Sequence, residues 1–200
     1  MVHYHNLIQG SPEWFEFRKG MLTGSNATAI GANGTGLITY CKKIAMELSG
    51  FESEKYTNSD MARGNELESI GRYAYELEYS TNVIITGCVT NDDYPDVLIS
   101  PDGLIGDNGG IEIKARNDEK HYSLILGDTK EIPDNQIQMT LLITERKWWD
   151  FVSINPNFTK PIFVKRVYPD LLYHRKLIAG FSTGRKLIKE FKDTYENYNN

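Results

Sequence analysis

Apolar and polar positions alternate most clearly in Gly110-Ile111-Glu112-Ile113-Lys114, where a two-residue period puts Ile111 and Ile113 on one face of a strand and Glu112 and Lys114 on the other. Upstream, Val97-Leu98-Ile99 forms a short apolar run, and Gly106-Asp107-Asn108-Gly109-Gly110 carries Asn-Gly turn chemistry. These pieces predict a hairpin with strands over 97–105 and 110–116. Further strands are predicted over 83–89, 148–154 and 162–167, the last two linked through Asn155-Pro156-Asn157.

Helices are predicted on either side of this sheet. Ser11-Pro12-Glu13 supplies an N-cap and a first-turn proline, with Trp14 and Phe17 facing inward and Gly20 ending the helix. A second helical turn covers 26–30, the glycine-bearing stretch 31–36 reads as a loop, and helices follow over 39–48 and from Ser59-Asp60 to about Tyr79. A short helix lies between His121 and Gly127. Pro133-Asp134 opens another that runs to Thr144, with Ile137, Leu141 and Leu142 on its apolar side, and a long helix spans 170–195. Only the Asn-rich end reads as disordered. The expected class is α/β (α+β), a mixed central β-sheet flanked by helices.

Composition fits one domain over 1–200, with a core of about 11–168 and a C-terminal helix beyond it. Two hundred residues with 40% hydrophobic content can bury a sizeable core. The N-terminus has neither a basic nor an apolar leader segment, and no stretch approaches the ~20 apolar residues of a membrane span, so a cytoplasmic location is expected. Cys41 and Cys88 read as free thiols, and with the four histidines they form no zinc pattern.

Candidate chemistry centres on the hairpin. Pro101-Asp102 precedes Glu112 and Lys114 by a spacing that a short hairpin can close, bringing two carboxylates and an ammonium together. Carboxylate oxygens suit Mg²⁺ or Mn²⁺, which take one or two carboxylates and keep several waters. Such an ion polarises a phosphate and acidifies water, and a lysine beside it can orient the nucleophile or offset charge on the phosphate. Taken singly, Ser100-Pro101-Asp102-Gly103 is an ordinary turn and Ile111-Glu112-Ile113-Lys114 an ordinary half-exposed strand. Their order and spacing together point to a phosphodiester-cleaving site.

A net charge of −5 argues against binding DNA through an overall basic field. Contacts with DNA must be local. The basic cluster His174-Arg175-Lys176 with Arg185, Lys186 and Lys189 is either a positive surface or a solvated face of the last helix. Arg18 can hold a phosphate through two parallel hydrogen bonds, and Ser25 at a helix start can add its hydroxyl; the plainer alternative is a surface charge and an N-cap. Gln136 shares a helix face with Thr140 while Gln138 points elsewhere, and Trp148-Trp149 reads as strand core.

The Pro-Asp…Glu-x-Lys arrangement resembles the PD-(D/E)xK nuclease superfamily, whose fold is the restriction-endonuclease-like core. With Trp14 to Ser25, the block Arg63-Gly64-Asn65-Glu66-Leu67-Glu68 and Asn135-Gln136-Ile137-Gln138, the series is similar to the lambda exonuclease family, the YqaJ-like viral recombinases, from about Ser11 to Pro156. The resemblance implies a magnesium-dependent 5′→3′ exonuclease on double-stranded DNA (manganese substituting), releasing mononucleotides and leaving 3′ tails. Asp102, Glu112 and Glu68 would hold metal, with Lys114 and Gln136 managing water and phosphate. Glu68, four residues after Gly64, matches the family's helical glutamate where Glu66 does not. Arg18 and Ser25 match its binders of DNA phosphate, including the terminal 5′-phosphate. It also implies a homotrimeric ring, a single-strand annealing partner and a role in phage recombination. Alternatives are a structure-specific endonuclease, an exonuclease of other polarity, or a DNA-end-binding protein without catalysis; two cysteines cannot supply the four ligands of a Cas4-like iron–sulfur cluster.

Overall fold

The structure, a computed structural model, describes residues 1–51 and 59–198. Two four-stranded sheets carry it, and helices cover their faces. The first sheet contains β1 (Val2–His5), β2 (Leu22–Thr23), β3 (Cys88–Asn91) and β4 (Tyr94–Ile99), in the order β1-β3-β4-β2. The second contains β5 (Gly103–Ile105), β6 (Gly109–Ala115), β7 (Trp149–Ile154) and β8 (Ile162–Val167), in the order β5-β6-β7-β8. Both sheets are mixed, since β2 runs parallel to β4 and β6 parallel to β7 while the other pairs are antiparallel. The α/β class with flanking helices is therefore found.

The helices are α1 (Pro12–Arg18), α2 (Ala27–Ala32), α3 (Thr35–Leu48), α4 (Ser59–Tyr79), α5 (Asp118–Ile125), α6 (Asp134–Thr144) and α7 (Leu171–Tyr198). Against the first sheet, α2, α3, α6 and α7 bury Leu22, Ile30, Leu37, Ile99, Met139 and Leu177. Close approach of α2 and α7 depends on Gly180, where a Cβ would stand 2.1 Å from the Ile30 carbonyl oxygen. The second sheet is covered on both faces. On one side, Leu67 and Tyr75 of α4 pack over Ile111, Ile113 and Val152; on the other, Leu124 of α5 and Ile137 and Leu141 of α6 pack over Trp149 and Phe151. Helix α6 thus serves two cores, Met139 and Ile143 facing one and Ile137 and Leu141 the other. Its apolar surface is wider than the single side expected.

Several local expectations change. The strand over 97–105 is broken at Ser100–Asp102, where the chain leaves β4 in one sheet and enters β5 in the other. Of the strand over 83–89, only an Ile84–Leu104 bridge and the start of β3 exist, because Gly87 is pressed on the Leu7 backbone and donates to the His5 carbonyl. Strand β1 was not expected; it pairs along β3. The loop over 31–36 shrinks to a tight turn between α2 and α3, with Asn33 in the left-handed region. Phe17 points outward and packs at a tilt against His5, and Trp14 is half-buried, its indole N–H donating to the Gly87 carbonyl. At the C-terminus α7 continues through Asn197; Asn199 and Asn200 lie outside the described residues. Among the described residues no helix is long and apolar enough to cross a membrane.

Candidate active site

The hairpin β5–β6 forms, but it is short, and its turn is Gly106-Asp107-Asn108 with Gly106 in the left-handed region, Gly109 already pairing with Ile105 instead of sitting in an Asn-Gly turn. Residues 103–105 pair with 111–109, so β6 beyond Ile111 has β7 on one side and no strand on the other among the described residues. Into this open edge turns the Ser100–Asp102 crossover, where the Asp102 carboxylate accepts the Ile113 N–H at 2.6 Å in place of a ladder bond. The site is built around that edge, which α4 reaches from one face and α6 from the other.

Glu112 is only 1% exposed, so the polar face of β6 is not the solvated surface that alternation alone suggests. Helix α6 covers it. Gln136 donates from Nε2 to Glu112 Oε1 at 2.6 Å, and Lys114 Nζ meets the same oxygen at 2.5 Å. The other oxygen, Oε2, is buried without a hydrogen-bond partner. A carboxylate oxygen stripped of water and left unpaired is costly unless something else is meant to bind it.

Electrostatics tie Glu68 to the same cluster from α4. Burial pushes the Glu112 carboxyl up to about 8, with Asp102 and Glu68 adding to the rise and Lys114 opposing it. Glu68 is pushed up to about 7, by burial first and the Asp102 charge second, against Lys114 and Arg72. Asp102 is also raised by burial, against Lys114, the Ile113 N–H and Arg72. For Lys114, burial works against the ammonium but the three carboxylates outweigh it, and its pKa is raised. Lys114 and Arg72 are two cations against three carboxyls, so the cluster is short of positive charge. A hard divalent cation fits this oxygen set and would satisfy Glu112 Oε2. As they stand, no three or more His, Cys, Asp or Glu side chains among the described residues are gathered tightly enough to hold an ion. The Asp102 and Glu112 oxygens are drawn instead to Ile113 and to Lys114 and Gln136.

Arg18 and Ser25 lie beside this cluster. They line a cavity of about 170 Å³ with Gln9, Trp14, Ser100 and Gln136. Arg18 stacks 3.9 Å over the Trp14 ring and donates one long bond, 3.3 Å, to Ser100 Oγ. Ser25 is exposed within the 3-10 turn Gly24–Asn26 that precedes α2; it caps no helix and bonds to Thr23 and Asn26. A second cavity, about 550 Å³, shares Gly24, Ser25 and Gln136 with the first and continues past Thr28, Lys130 and Asn135. Gln136 therefore touches both the carboxylate cluster and the space beside Arg18.

Other candidates separate from the site. Glu66 is exposed on α4, whereas Glu68 is partly buried. Gln138 holds the approach to α7, donating to the Tyr168 carbonyl and accepting from the Asp170 N–H, while Thr140 lines the Arg18 cavity. Trp149 is core, but Trp148 is half-buried with Arg166 stacked 3.7 Å over it. Along α7, His174 is buried, Arg185 pairs with Asp96, and Arg175, Lys176, Lys186 and Lys189 are exposed on the outer side. Cys41 and Cys88 are buried free thiols. Two participants went unread in the sequence, Gln9 and Arg72, and Ser100 was read only as part of a turn. Only Arg72 left a signal, standing four residues after Glu68 on the same helix face.

Residues 13–147 match the model of the YqaJ-like viral recombinase domain. The chain belongs to the YqaJ-like viral recombinase family. Among solved structures, this YqaJ-like chain is similar to an alkaline exonuclease, LHK-Exo from Laribacter hongkongensis. Identity is 27%, with 94% of this chain and 98% of that chain covered at a TM-score of 0.84. The complex of LHK-Exo with dAMP matches equally well. A phage-related exonuclease from Haemophilus somnus 129PT shares the fold at 13% identity, with 89% and 96% of the two chains covered and a TM-score of 0.66. No curated protein sequence matches this YqaJ-like chain.

Proposed function

We propose that the protein is a divalent-metal-dependent 5′→3′ exonuclease of double-stranded DNA. It would begin at 5′-phosphorylated ends, release 5′-mononucleotides and leave 3′ single-stranded tails for phage-type recombination by strand annealing. The observation that carries this reading is the adjacency of the buried carboxylate cluster to the Arg18–Ser25 cavity through Gln136. Membership of a recombinase family and likeness to an exonuclease whose complex holds a mononucleotide support it.

In this reading Asp102, Glu112 and Glu68 would hold Mg²⁺, with Mn²⁺ able to substitute. The ion's chemistry there is to polarise the scissile phosphate and make water acidic enough to attack near neutral pH. Lys114, kept charged by its carboxylate neighbours, offers an N–H to the attacking water or to charge building on the phosphate. Gln136 gives an amide donor without altering the charge count. Arg18, desolvated over Trp14 and only lightly bonded, receives the terminal 5′-phosphate with Ser25. The homotrimeric ring that the family resemblance implies would keep the enzyme on the duplex, to which a net charge of −5 gives little general attraction. A single-strand annealing protein takes the 3′ tail. A soluble, cytoplasmic enzyme is part of the same proposal.

The test uses linear duplex with 5′-phosphate, the same duplex with 5′-hydroxyl, and closed circular DNA, each with magnesium and with chelator. The expected result is magnesium-dependent release of mononucleotides, fastest from phosphorylated ends, with the circle intact. Rapid nicking of the circle would defeat the exonuclease reading, and loss of no substrate would leave DNA-end binding without catalysis.

A further inference from the structure

The crossover Ser100–Pro101–Asp102 belongs to neither sheet, and Pro101 has no N–H to contribute. Ladder hydrogen bonds therefore do not fix the crossover backbone, although the Asp102 carboxylate itself accepts the Ile113 N–H. Side chains from three separate parts of the chain hold the crossover instead. Arg18 Nη1 donates to Ser100 Oγ at 3.3 Å, Gln9 Nε2 donates to the Pro101 carbonyl at 3.0 Å, and Arg72 Nε donates to the Asp102 carbonyl at 3.3 Å. Gln9 also donates to the Thr86 carbonyl at 3.1 Å, which ties the crossover to the segment leading into β3. Arg72 reaches the corner because α4 lies tight on β6: a Cβ on Gly71 would stand 3.0 Å from Ile113 Cγ2.

We propose that Gln9 and Arg72 are positioning residues of the catalytic corner. They hold the successive Pro101 and Asp102 carbonyls so that the Asp102 carboxylate stays registered against Glu112 while it binds a divalent ion. The inference rests on the reading of Asp102 and Glu112 as metal ligands. Neither residue touches the reacting atoms; both act through main-chain carbonyls, as outer partners of metal ligands commonly do.

Arg72 also carries a charge, and that makes the proposal sharp. If its charge were all that mattered, removing a cation beside Asp102 and Glu68 would tighten binding of a divalent ion. If it positions Asp102, removing it weakens binding. The two roles have opposite signs.

The experiment compares Gln9→Ala, Arg72→Ala, Arg72→Gln and the Gln9→Ala/Arg72→Ala double variant with the wild type. Mn²⁺ binding is measured by calorimetry without DNA, kcat and KM on 5′-phosphorylated duplex, and thermal unfolding in chelator to establish that each variant is folded. Each alanine variant should bind Mn²⁺ about tenfold more weakly and lose about tenfold in kcat. KM for DNA should change less than twofold. Arg72→Gln, which keeps an N–H donor without the charge, should recover part of the loss. The double variant should lose less than the product of the two singles, because both restrain one segment. Unchanged Mn²⁺ affinity in folded Gln9→Ala, or tighter Mn²⁺ binding in Arg72→Ala, would overturn the proposal. A wild type that neither binds Mn²⁺ nor cleaves would instead defeat the nuclease reading itself.

Discussion

Glu112 and Asp150 are buried carboxylates on neighbouring strands, each 1% exposed, and their surroundings could hardly differ more. Asp150 is saturated. Arg166 grips it with two bonds of 2.8 and 2.9 Å, and the Tyr75 hydroxyl adds a third at 2.7 Å. Glu112 has both of its hydrogen-bonding partners on one oxygen and nothing on the other. The same contrast recurs in two arginines, each stacked on a tryptophan. Arg166 over Trp148 spends its guanidinium on Asp150, whereas Arg18 over Trp14 makes one long bond to Ser100. A buried charge that is fully matched is part of the framework. One that is left partly unmatched, beside a cavity, is a candidate for binding something else.

Exchanging the two acids for amides should therefore separate stability from activity. Glu112→Gln should lower cleavage by 10²–10³-fold or more, on the scale of losing a group that acts on developing charge. Its unfolding temperature in chelator should hold or rise, since a carboxylate with one orphaned oxygen is lost. Lys114→Ala should likewise abolish cleavage while leaving DNA binding in place. A Glu112→Gln variant that cleaves normally would remove the distinction between the two acids.

Asp150→Asn should do the reverse. Breaking a buried pair and leaving Arg166 uncompensated should cost about 3 kcal/mol, the low end for such a change because the arginine is half-exposed. Denaturant unfolding measures the loss, and kcat of the folded fraction should match the wild type. A catalytic defect without loss of stability would place Asp150 in the site and break the comparison.

This distinction explains what the sequence could show. The hairpin was legible because turn residues fill 106–110 between two apolar runs; Glu112 and Lys114 follow from a two-residue period, and Asp102 from its spacing to them. The burial of Glu112 was not legible, since alternation says which residues share a face but not whether a helix covers it. The break at Ser100–Asp102 was hidden because apolar residues continue on both sides of it, in Val97-Leu98-Ile99 and Leu104-Ile105, while the chain changes sheets. Strand β1 was missed because the Val-His-Tyr-His alternation of Val2–His5 is only four residues long, too short to stand out. Gln9 and Arg72 act by holding main-chain carbonyls more than twenty residues away, and no local pattern encodes such a contact.

The arginine half of the comparison predicts a smaller effect. Arg18→Ala should reduce the rate ratio between 5′-phosphate and 5′-hydroxyl ends about tenfold, the cost of one charge-assisted contact to phosphate. Arg166→Ala should leave that ratio unchanged and lower stability instead. If Arg18→Ala cuts both ends with the wild-type ratio, its spare donors do not serve the terminal phosphate.

The smallest effect is a slope with pH, and its sign follows from the site. Glu112 and Glu68 move up from 4.5 in the unfolded chain to about 8 and about 7 in the folded one. Between these values the folded protein binds more protons than the unfolded chain, so stability falls as pH rises. Their contribution is fully present below about pH 4.5 and is lost as pH passes through 7 to 8. In chelator, the unfolding temperature should therefore drop between pH 5 and pH 8. Glu112→Gln should flatten that slope. Added magnesium should flatten it too, because an ion on the same oxygens replaces the protons they would otherwise hold. A slope that survives both changes would locate the strain elsewhere and leave Glu112 no less settled than Asp150.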